Sequence, residues 1–330
     1  MISRLFFILS CLCFLASCEK EEKALVLPPP GTATPASVEM GPDYDKQTFY
    51  DFETGMSVFS SDPRCWDLSF EATPEGKHVF INGAKDVFVY NTHLTNMNAV
   101  TELPANLKPS GSGWSFDAPC GMPDSTGIGD WFGLAGETRG EVYIVQTKAD
   151  EYRKMRILTA DASHFTIEWA DLNATGTPTT VMLPKDSAYN FIYFSFSNGT
   201  VKPEPLKNTW DIVFTRYRHV FHTQTHSNFP YTVTGVLLNP SKTKAAADST
   251  IAFGDISLQK ASSLPMSHYR DVIGFDWKDY SFSSGRYEVN RAKNYVVQTR
   301  KDQLYKFRFL EFYNSSGQKG YPSFEYERLH

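Results

Sequence analysis

Alternating apolar and polar positions recur in short stretches along the chain. In FTIEW (165–169) and YKFRF (305–309), large apolar side chains occupy every second position, as in a strand that buries one face. The segments TKADE (147–151) and TRKDQ (299–303) each lie between two such stretches and predict hairpin turns. The alanine-rich segment 244–250 predicts a short helix or a loop. The pattern as a whole predicts an all-β protein of antiparallel strands with few or no long helices.

Blocks of sequence repeat in the same order in the two halves of the chain, at offsets of 144 to 152 residues. The matched blocks are TFYDFETG (48–55) with IYFSFSNG (192–199), WDLSF (66–70) with WDIVF (210–214), GDWF around Trp131 with FDWKDY around Trp277, and VYIVQTKADEYRKMRIL (142–158) with NYVVQTRKDQLYKFRFL (294–310). We therefore predict two related β modules, an N-terminal one at 41–172 and a C-terminal one at 185–330. The aromatic content of 15% also favours sheets.

The tryptophans and aspartates that recur in this repeat are interpreted first as structural residues. The paired tryptophans predict equivalent buried cores, and exposed platforms that stack on a sugar are the functional alternative. Asp67 and Asp211, each beside a tryptophan, predict a role at a turn or a strand start.

The first eighteen residues, MISRLFFILSCLCFLASC, have the features of a bacterial lipoprotein signal. The apolar run is too short to span a bilayer and ends in Leu-Ala-Ser just before Cys18. We predict that residues 1–17 are the signal peptide and that Cys18 is the lipidated N-terminus, carrying palmitate or a similar acyl chain. The alternative is an ordinary signal peptide followed by an incidental cysteine.

The residues after Cys18 predict an exposed, flexible segment. EKEEK resembles the acidic export tag of surface lipoproteins in the Bacteroidetes, and the Pro-, Ala- and Thr-rich remainder of 18–40 predicts a flexible tether. We therefore expect a lipid-anchored protein of the outer membrane, exposed on the cell surface, with the periplasmic leaflet as the alternative.

Charge and motifs narrow the possible functions. A net charge of -5 and an isoelectric point near 5.9 argue against nucleic acid as the partner. The sequence has no G-x-S-x-G, H-E-x-x-H or C-x-x-C motif and no glycine-rich phosphate loop. The sequence therefore predicts a protein that is not an enzyme.

Two cysteines remain after Cys18. Outside the cytoplasm, Cys65 and Cys120 are expected to pair more often than to stay free, and such a disulfide contributes on the order of 4 kcal/mol in the chain-entropy model. A two-cysteine metal site is the weaker alternative, because no histidine cluster lies near either cysteine in sequence, and we predict no metal site.

Several motifs in the second module carry a family resemblance. They are YFSFSNG (193–199), NTWDIVF (208–214), a Trp–Tyr segment after Trp277, and the run YVVQTRKDQLYKFRFLEFYNSSGQKGYPSFEYERL (295–329). This module resembles the HmuY family of Bacteroidetes lipoproteins, and the first module resembles it more weakly through WDLSF and VYIVQT. The resemblance implies a β-rich surface protein that holds haem between two axial side chains, histidine or methionine. It also implies partners: haem or a haem-carrying host protein, and a TonB-dependent outer-membrane receptor.

The resemblance places the axial ligands in two regions. In the long middle region of the module, the chain offers Met266 and His268. The segment before the YVV strand has neither histidine nor methionine, but it contains Tyr287, and tyrosinate is a known haem ligand. The alternative for Tyr287 is an aromatic side chain packed on a strand.

A second group of candidates lies in TWDIVFTRYRHVFHTQTH (209–226). His219, His222 and His226 are close in sequence, and the polar segment after the strand could fold over a ligand. Arg216 and Arg218 share a strand face and could pair with haem propionates. The alternative is a solvent-facing strand with a histidine-bearing loop.

Two functions from different classes remain open at this point. One is a haem-binding, haemophore-like lipoprotein for haem and iron acquisition. The other is a surface module of the same fold that binds a glycan or a protein partner without haem.

Overall fold

A computed structural model of the chain describes residues 33–105, 107, 113–222 and 229–330. Its regular elements are mainly strands that pair antiparallel, which confirms the predicted all-β fold. The strands of the first half are β1 (Thr34–Ser37), β2 (Gln47–Asp51), β3 (Met56–Ser61), β4 (Leu68–Glu71), β5 (Val79–Ile81), β6 (Phe88–Asn91), β7 (Tyr143–Lys148), β8 (Glu151–Ala160) and β9 (His164–Asp171).

The second half continues the same architecture. Its strands are β10 (Thr179–Pro184), β11 (Phe191–Ser195), β12 (Gly199–Val201), β13 (Ile212–Phe221), β14 (Phe229–Leu238), β15 (Lys244–Asp248), β16 (Lys278–Ser281), β17 (Arg286–Val289), β18 (Asn294–Gln298), β19 (Leu304–Tyr313) and β20 (Lys319–Arg328). The short helical elements are α1 (Leu258–Ser262) and the 3-10 turns Gly83–Lys85, Met97–Ala99, Pro123–Ser125 and Phe253–Asp255. Within the described ranges, no helix has the length and apolar character needed to cross a membrane.

The predicted hairpin turns are confirmed, and one local prediction is wrong. Asp150 and Asp302 turn the β7–β8 and β18–β19 hairpins with φ of 59° and 60°, a left-handed conformation that Asp tolerates better than most residues. The alanine-rich segment 244–250 is mostly strand β15 instead of a helix or loop. Its pairing with β18 and the burial of Ala245 and Ala246 outweigh the helical preference of alanine.

Strand order is the same in two pairs of sheets. The sheet β10-β9-β8-β7-β6 corresponds to β1-β20-β19-β18-β15, and the sheet β12-β11-β4-β5 corresponds to β3-β2-β13-β14. The first three strands of each half lie in the sheets of the other half. The register repeats as well, because Tyr50 pairs with Ile212 while Phe194 pairs with Leu68, the same pair with the copies interchanged. The module boundaries at 41–172 and 185–330 stay a prediction about the sequence repeat, since the sheets cross them.

Two equivalent aspartates bind the strands that each half contributes to the sheets of the other half. An oxygen of the Asp67 carboxylate accepts the backbone N–H of Phe196 at 2.8 Å, and an oxygen of Asp211 accepts the N–H of Phe52 at 3.0 Å. Both aspartates are buried. Each one therefore holds the turn that follows a strand donated by the other half, which confirms the predicted role at a turn.

The main apolar cores follow the exchanged sheets. One core gathers residues between 68 and 196, including Trp131, and the other combines residues of 38–52 with residues of 212–326, including Trp277. These two tryptophans are buried at equivalent places, as predicted. Ala33–His330 forms one compact unit.

The predicted tether ends earlier than residue 40. Residues 34–37 form β1, which pairs with β20, and Val38 and Met40 are buried in the second core. Pro35 is compatible with this placement because β1 is the edge strand of its sheet. Composition predicted a tether, but residues 34–37 are ordered because they pair with the edge of β20. The signal peptide, Cys18 and the earlier part of the tether lie outside the described residues.

Candidate ligand-binding site

A cavity of about 830 Å³ lies at the end of β13 and is largely open to solvent. Cavities of this size hold small organic ligands. We call it the histidine cavity and define it by its lining residues, Phe116, Ala118, Pro119, Ser125, Thr126, His219, Val220, Phe221, His222 and Asp271. Two of the predicted histidines, His219 and His222, therefore come together at one site, whereas His226 lies outside the described residues.

The course of β13 explains this position. β13 pairs with β14 along its whole length but with β2 only over residues 212–214, so its last part extends beyond that neighbour. His219 and Phe221 lie on this extension, and the loop around Pro123–Ser125 provides the opposite wall.

His219 is half-buried and packs against two aromatic rings. Its ring centroid lies 4.7 Å from that of Phe221 and 4.7 Å from that of Phe275. Its Nδ1 atom is buried and has no hydrogen-bond partner among the described residues. Burial lowers the pKa of His219 below its ordinary value, so the neutral imidazole, the form that binds metal ions, predominates at neutral pH.

The cavity wall also carries one carboxyl group. Burial raises the pKa of Asp271, while the charges of His219 and Arg270 oppose this shift. His222, by contrast, is exposed directly after β13. The site thus combines one half-buried imidazole, one exposed imidazole and apolar aromatic walls.

The two arginines of β13 do not line the histidine cavity. Arg218 is buried, its Nη1 atom donates to the backbone oxygen of Val87 at 2.8 Å, and its guanidinium carbon lies 4.1 Å from the ring centroid of Phe88. Arg218 therefore ties β13 to the start of β6. It lines a second cavity together with Arg216.

The other ligand candidates also lie away from the histidine cavity. Met266 packs against the small apolar cluster that contains Ala261 and Val296, and His268 is exposed. Tyr287 is half-buried on β17, with its ring centroid 5.3 Å from that of Phe312. The structure favours the packed strand aromatic for Tyr287.

The predicted disulfide is not formed in the structure, where Cys65 and Cys120 are both free. Their backbone groups bond to different segments: the N–H of Cys65 donates to the oxygen of Asp62 at 3.4 Å, and the oxygen of Cys120 accepts the N–H of Arg270 at 2.9 Å. Over the described parts of the chain, no group of three or more His, Cys, Asp or Glu is arranged to hold a metal ion.

A second cavity of about 120 Å³ was not predicted from the sequence. It contains the buried Glu204 together with Tyr193, Asp117 and Arg270 among its lining residues. These residues are far apart in sequence and follow no motif spacing. The one local signal is an acidic residue between two prolines in KPEP (202–205), a weak indication of a specific role.

Fold and cavities together define an all-β protein with space for small ligands. A family model described as HmuY protein matches residues 187–326, which confirms the resemblance carried by the motifs of the second half. No curated protein matches the chain significantly.

Three solved structures are similar to the chain at low sequence identity. Apo PinO from Porphyromonas gingivitis has 10% identity, with 91% of this chain and 99% of that chain covered and a TM-score of 0.31. The apo HmuY analog of Tannerella forsythia has 10% identity, with coverage of 90% and 96% and a TM-score of 0.26. A Bacteroides vulgatus protein designated HmuY-like and heme binding has 13% identity, with coverage of 89% and 90% and a TM-score of 0.23.

Proposed function

We propose that this protein is a surface-anchored haem-binding lipoprotein that serves haem and iron acquisition and catalyses no reaction. The observation that carries the proposal is the histidine cavity, which combines a ligand-sized volume with the half-buried imidazole of His219. The HmuY match over residues 187–326 supports the same function.

The residues of the cavity fit a haem. Neutral His219, with its burial and lowered pKa, offers a nitrogen ligand for iron, and His222 offers a second one at the open side. Phe116 and Phe221 provide apolar surface for the porphyrin. Bound haem would supply the iron that these nitrogens ligate.

Localisation and partners are part of the same proposal. Cys18 is the proposed lipid attachment, and the residues from 19 to 33 could span at most about 50 Å between the membrane and β1. A protein displayed in this way could receive haem from a host haem protein and deliver it to a TonB-dependent receptor.

The proposal is tested by haemin titration of the purified protein, followed by visible absorption in both oxidation states. We expect a saturable Soret shift that is strongly reduced in His219→Ala and weakened in His222→Ala. The matched control is His268→Ala, an exposed histidine outside the cavity, which should bind like the wild type.

Two other outcomes would redirect the assignment. Loss of the Soret shift in His268→Ala or Met266→Ala, with His219→Ala unaffected, would move the site to the region that the family resemblance indicated. A titration indistinguishable from that of an unrelated protein would overturn haem binding altogether.

A glycan- or protein-binding module without haem is the second candidate. It is favoured by exposed aromatic side chains on β14 and around the β16–β17 hairpin, with exposed fractions of 57% for Tyr231, 47% for Tyr280 and 92% for Phe282. Exposed aromatic surface of this kind is typical of recognition sites. Glycan-array binding that is lost in Phe282→Ser and retained in the absence of haem would support it.

A further inference from the structure

A second cavity lies between the two equivalent sheets β12-β11-β4-β5 and β14-β13-β2-β3. Equivalent positions of the repeat line its walls: Phe49 corresponds to Tyr193, and Ser69 corresponds to Val213. We call it the inter-repeat cavity. Its volume of about 120 Å³ is far below the range for a porphyrin. An apolar cavity of about 150 Å³ holds benzene, so a ligand here has no more than about six non-hydrogen atoms.

Arg270 lines this cavity, and among the described residues its guanidinium has no ion-pair partner. Its Nε atom donates to the backbone oxygen of Leu238 at 3.2 Å, and its guanidinium carbon lies 5.8 Å from the ring centroid of Phe191. Among the described residues, no carboxylate forms an ion pair with Arg270, and neither Nη atom donates a hydrogen bond. Burial lowers the pKa of Arg270, but arginine remains protonated in proteins.

The acidic groups at the cavity are engaged with other donors. One oxygen of Glu204 accepts the hydroxyl of Tyr193 at 2.8 Å, and the other accepts the backbone N–H of Asn190 at 2.9 Å. The two oxygens of Asp117 accept the backbone N–H groups of Ile81 and Gly127, each at 2.7 Å. Burial raises the pKa of both carboxyl groups to about 7. At neutral pH, the positive charge of Arg270 is therefore only partly balanced.

The walls beside Arg270 are apolar and aromatic. Phe80 and Phe191 pack edge to face with centroids 5.3 Å apart, and Trp66 packs against Tyr193 at 5.0 Å. A guanidinium beside such rings matches a molecule with one carboxylate and a small apolar body. An inorganic anion would leave the rings without a complementary partner.

We propose that the inter-repeat cavity binds a small organic monocarboxylate, which pairs with the guanidinium of Arg270 and places its apolar body against Phe80 and Phe191. This site is distinct from the histidine cavity, although Ala118 and Pro119 line both. The proposal does not depend on haem binding.

The test is calorimetric titration of the purified protein with acetate, propionate and butyrate, and with propionamide and inorganic phosphate as comparisons. Trp66 provides a fluorescence readout because it lines the cavity. We expect saturable binding of at least one carboxylate and none of the amide. Arg270→Gln should weaken binding at least tenfold, whereas the control Arg286→Gln, on exposed β17, should leave it unchanged.

A second variant decides the outcome if Arg270→Gln fails to fold. As pH rises from 6 to 8, Glu204 ionises near Arg270, so the affinity of the wild type for the carboxylate should fall. Tyr193, Asp117 and Arg218 also line the cavity, and of these only Asp117 titrates in this range. Glu204→Gln should therefore retain binding with a smaller pH dependence. Absence of saturable binding by every carboxylate, equal binding of propionamide, or unchanged affinity in Arg270→Gln would each overturn the proposal.

Discussion

At the scale of single residues, buried charges are placed where the backbone can satisfy them. The ammonium of Lys154 is the clearest case: its Nζ atom donates to the backbone oxygens of Met97, Val100 and Ala174 at 2.9, 2.7 and 2.6 Å. The side chain is 1% exposed. One charged group thus holds two irregular segments, around 97–100 and 174, against β8, because a buried carbonyl without a partner is costly.

Replacing Lys154 by Met should destabilise the fold by about 3–5 kcal/mol, because three backbone carbonyls lose the ammonium as a donor. Urea unfolding followed by tryptophan fluorescence measures this change. The matched control is Lys148→Met on the preceding strand, whose side chain is 67% exposed and which should change the free energy of unfolding by less than about 1 kcal/mol. Equal effects of both variants would contradict this role for Lys154.

Glu204 makes stability depend on pH in an unusual direction. Its pKa is raised to about 7 in the folded protein, whereas in the unfolded chain it lies near 4.5. Between these values the unfolded state loses the proton while the folded state keeps it, so Glu204 makes the fold less stable as pH rises. The loss is about 3 kcal/mol between pH 4.5 and 7.

Comparison with Glu204→Gln isolates this contribution. The difference in unfolding free energy between wild type and variant, measured by urea denaturation at pH 4.5, 5.5, 6.5 and 7.5, should shift in favour of the variant with rising pH. A difference that stays constant across this range would show that the carboxyl group is ionised in the folded state throughout.

Single positions were only partly predictable from the sequence. The turn role of Asp67 and Asp211 was visible because both copies of the repeat carry it. His219 and His222 line one cavity because β13 extends beyond β2. The length of this extension is not encoded in the local sequence. Glu204 and Arg270 meet only through the packing of distant strands.

At the scale of elements, pairing at sheet edges determines the secondary structure of segments for which the sequence pattern predicts no strand. Hairpins such as β7–β8 and β18–β19 were predicted because both strands and their turn are contiguous in sequence. Strands β1 and β15 were missed, since neither has an alternating apolar pattern. Both form because a neighbouring strand offers unpaired backbone groups, a contribution that local composition does not carry.

Truncation tests the structural role of β1. A chain that starts at residue 41 loses the pairing with β20 and the buried side chains of Val38 and Met40. We expect it to be less stable by roughly 3–5 kcal/mol and to self-associate through the exposed edge of β20. A chain that starts at residue 33 is the control. Equal melting temperatures for the two chains would assign residues 34–40 to the tether after all.

At the scale of the whole molecule, the two halves are linked by their exchanged strands. The repeated blocks predicted a duplication, but a constant offset does not say which copy of a strand pairs with which. The structure places β1–β3 with the second half and β10–β12 with the first. Each core therefore draws on both halves of the sequence.

This exchange predicts which fragments fold. Residues 185–330 alone lack β2 and β3, which complete the sheet of β13, and should remain largely unfolded. Residues 33–61 joined through a Gly/Ser linker to residues 208–330 contain every strand of the second core and should fold. Circular dichroism and amide hydrogen exchange distinguish the two. A well-protected 185–330 fragment would show that this half re-forms its sheet with its own β11 and β12.

The pairing of β1 with β20 also brings the two ends of the compact unit side by side. Thr34 lies opposite Tyr326, four residues before the last residue, His330. The chain therefore enters and leaves the compact unit at the same end of this strand pair. A label or fused domain added after His330 would therefore attach close to the start of β1.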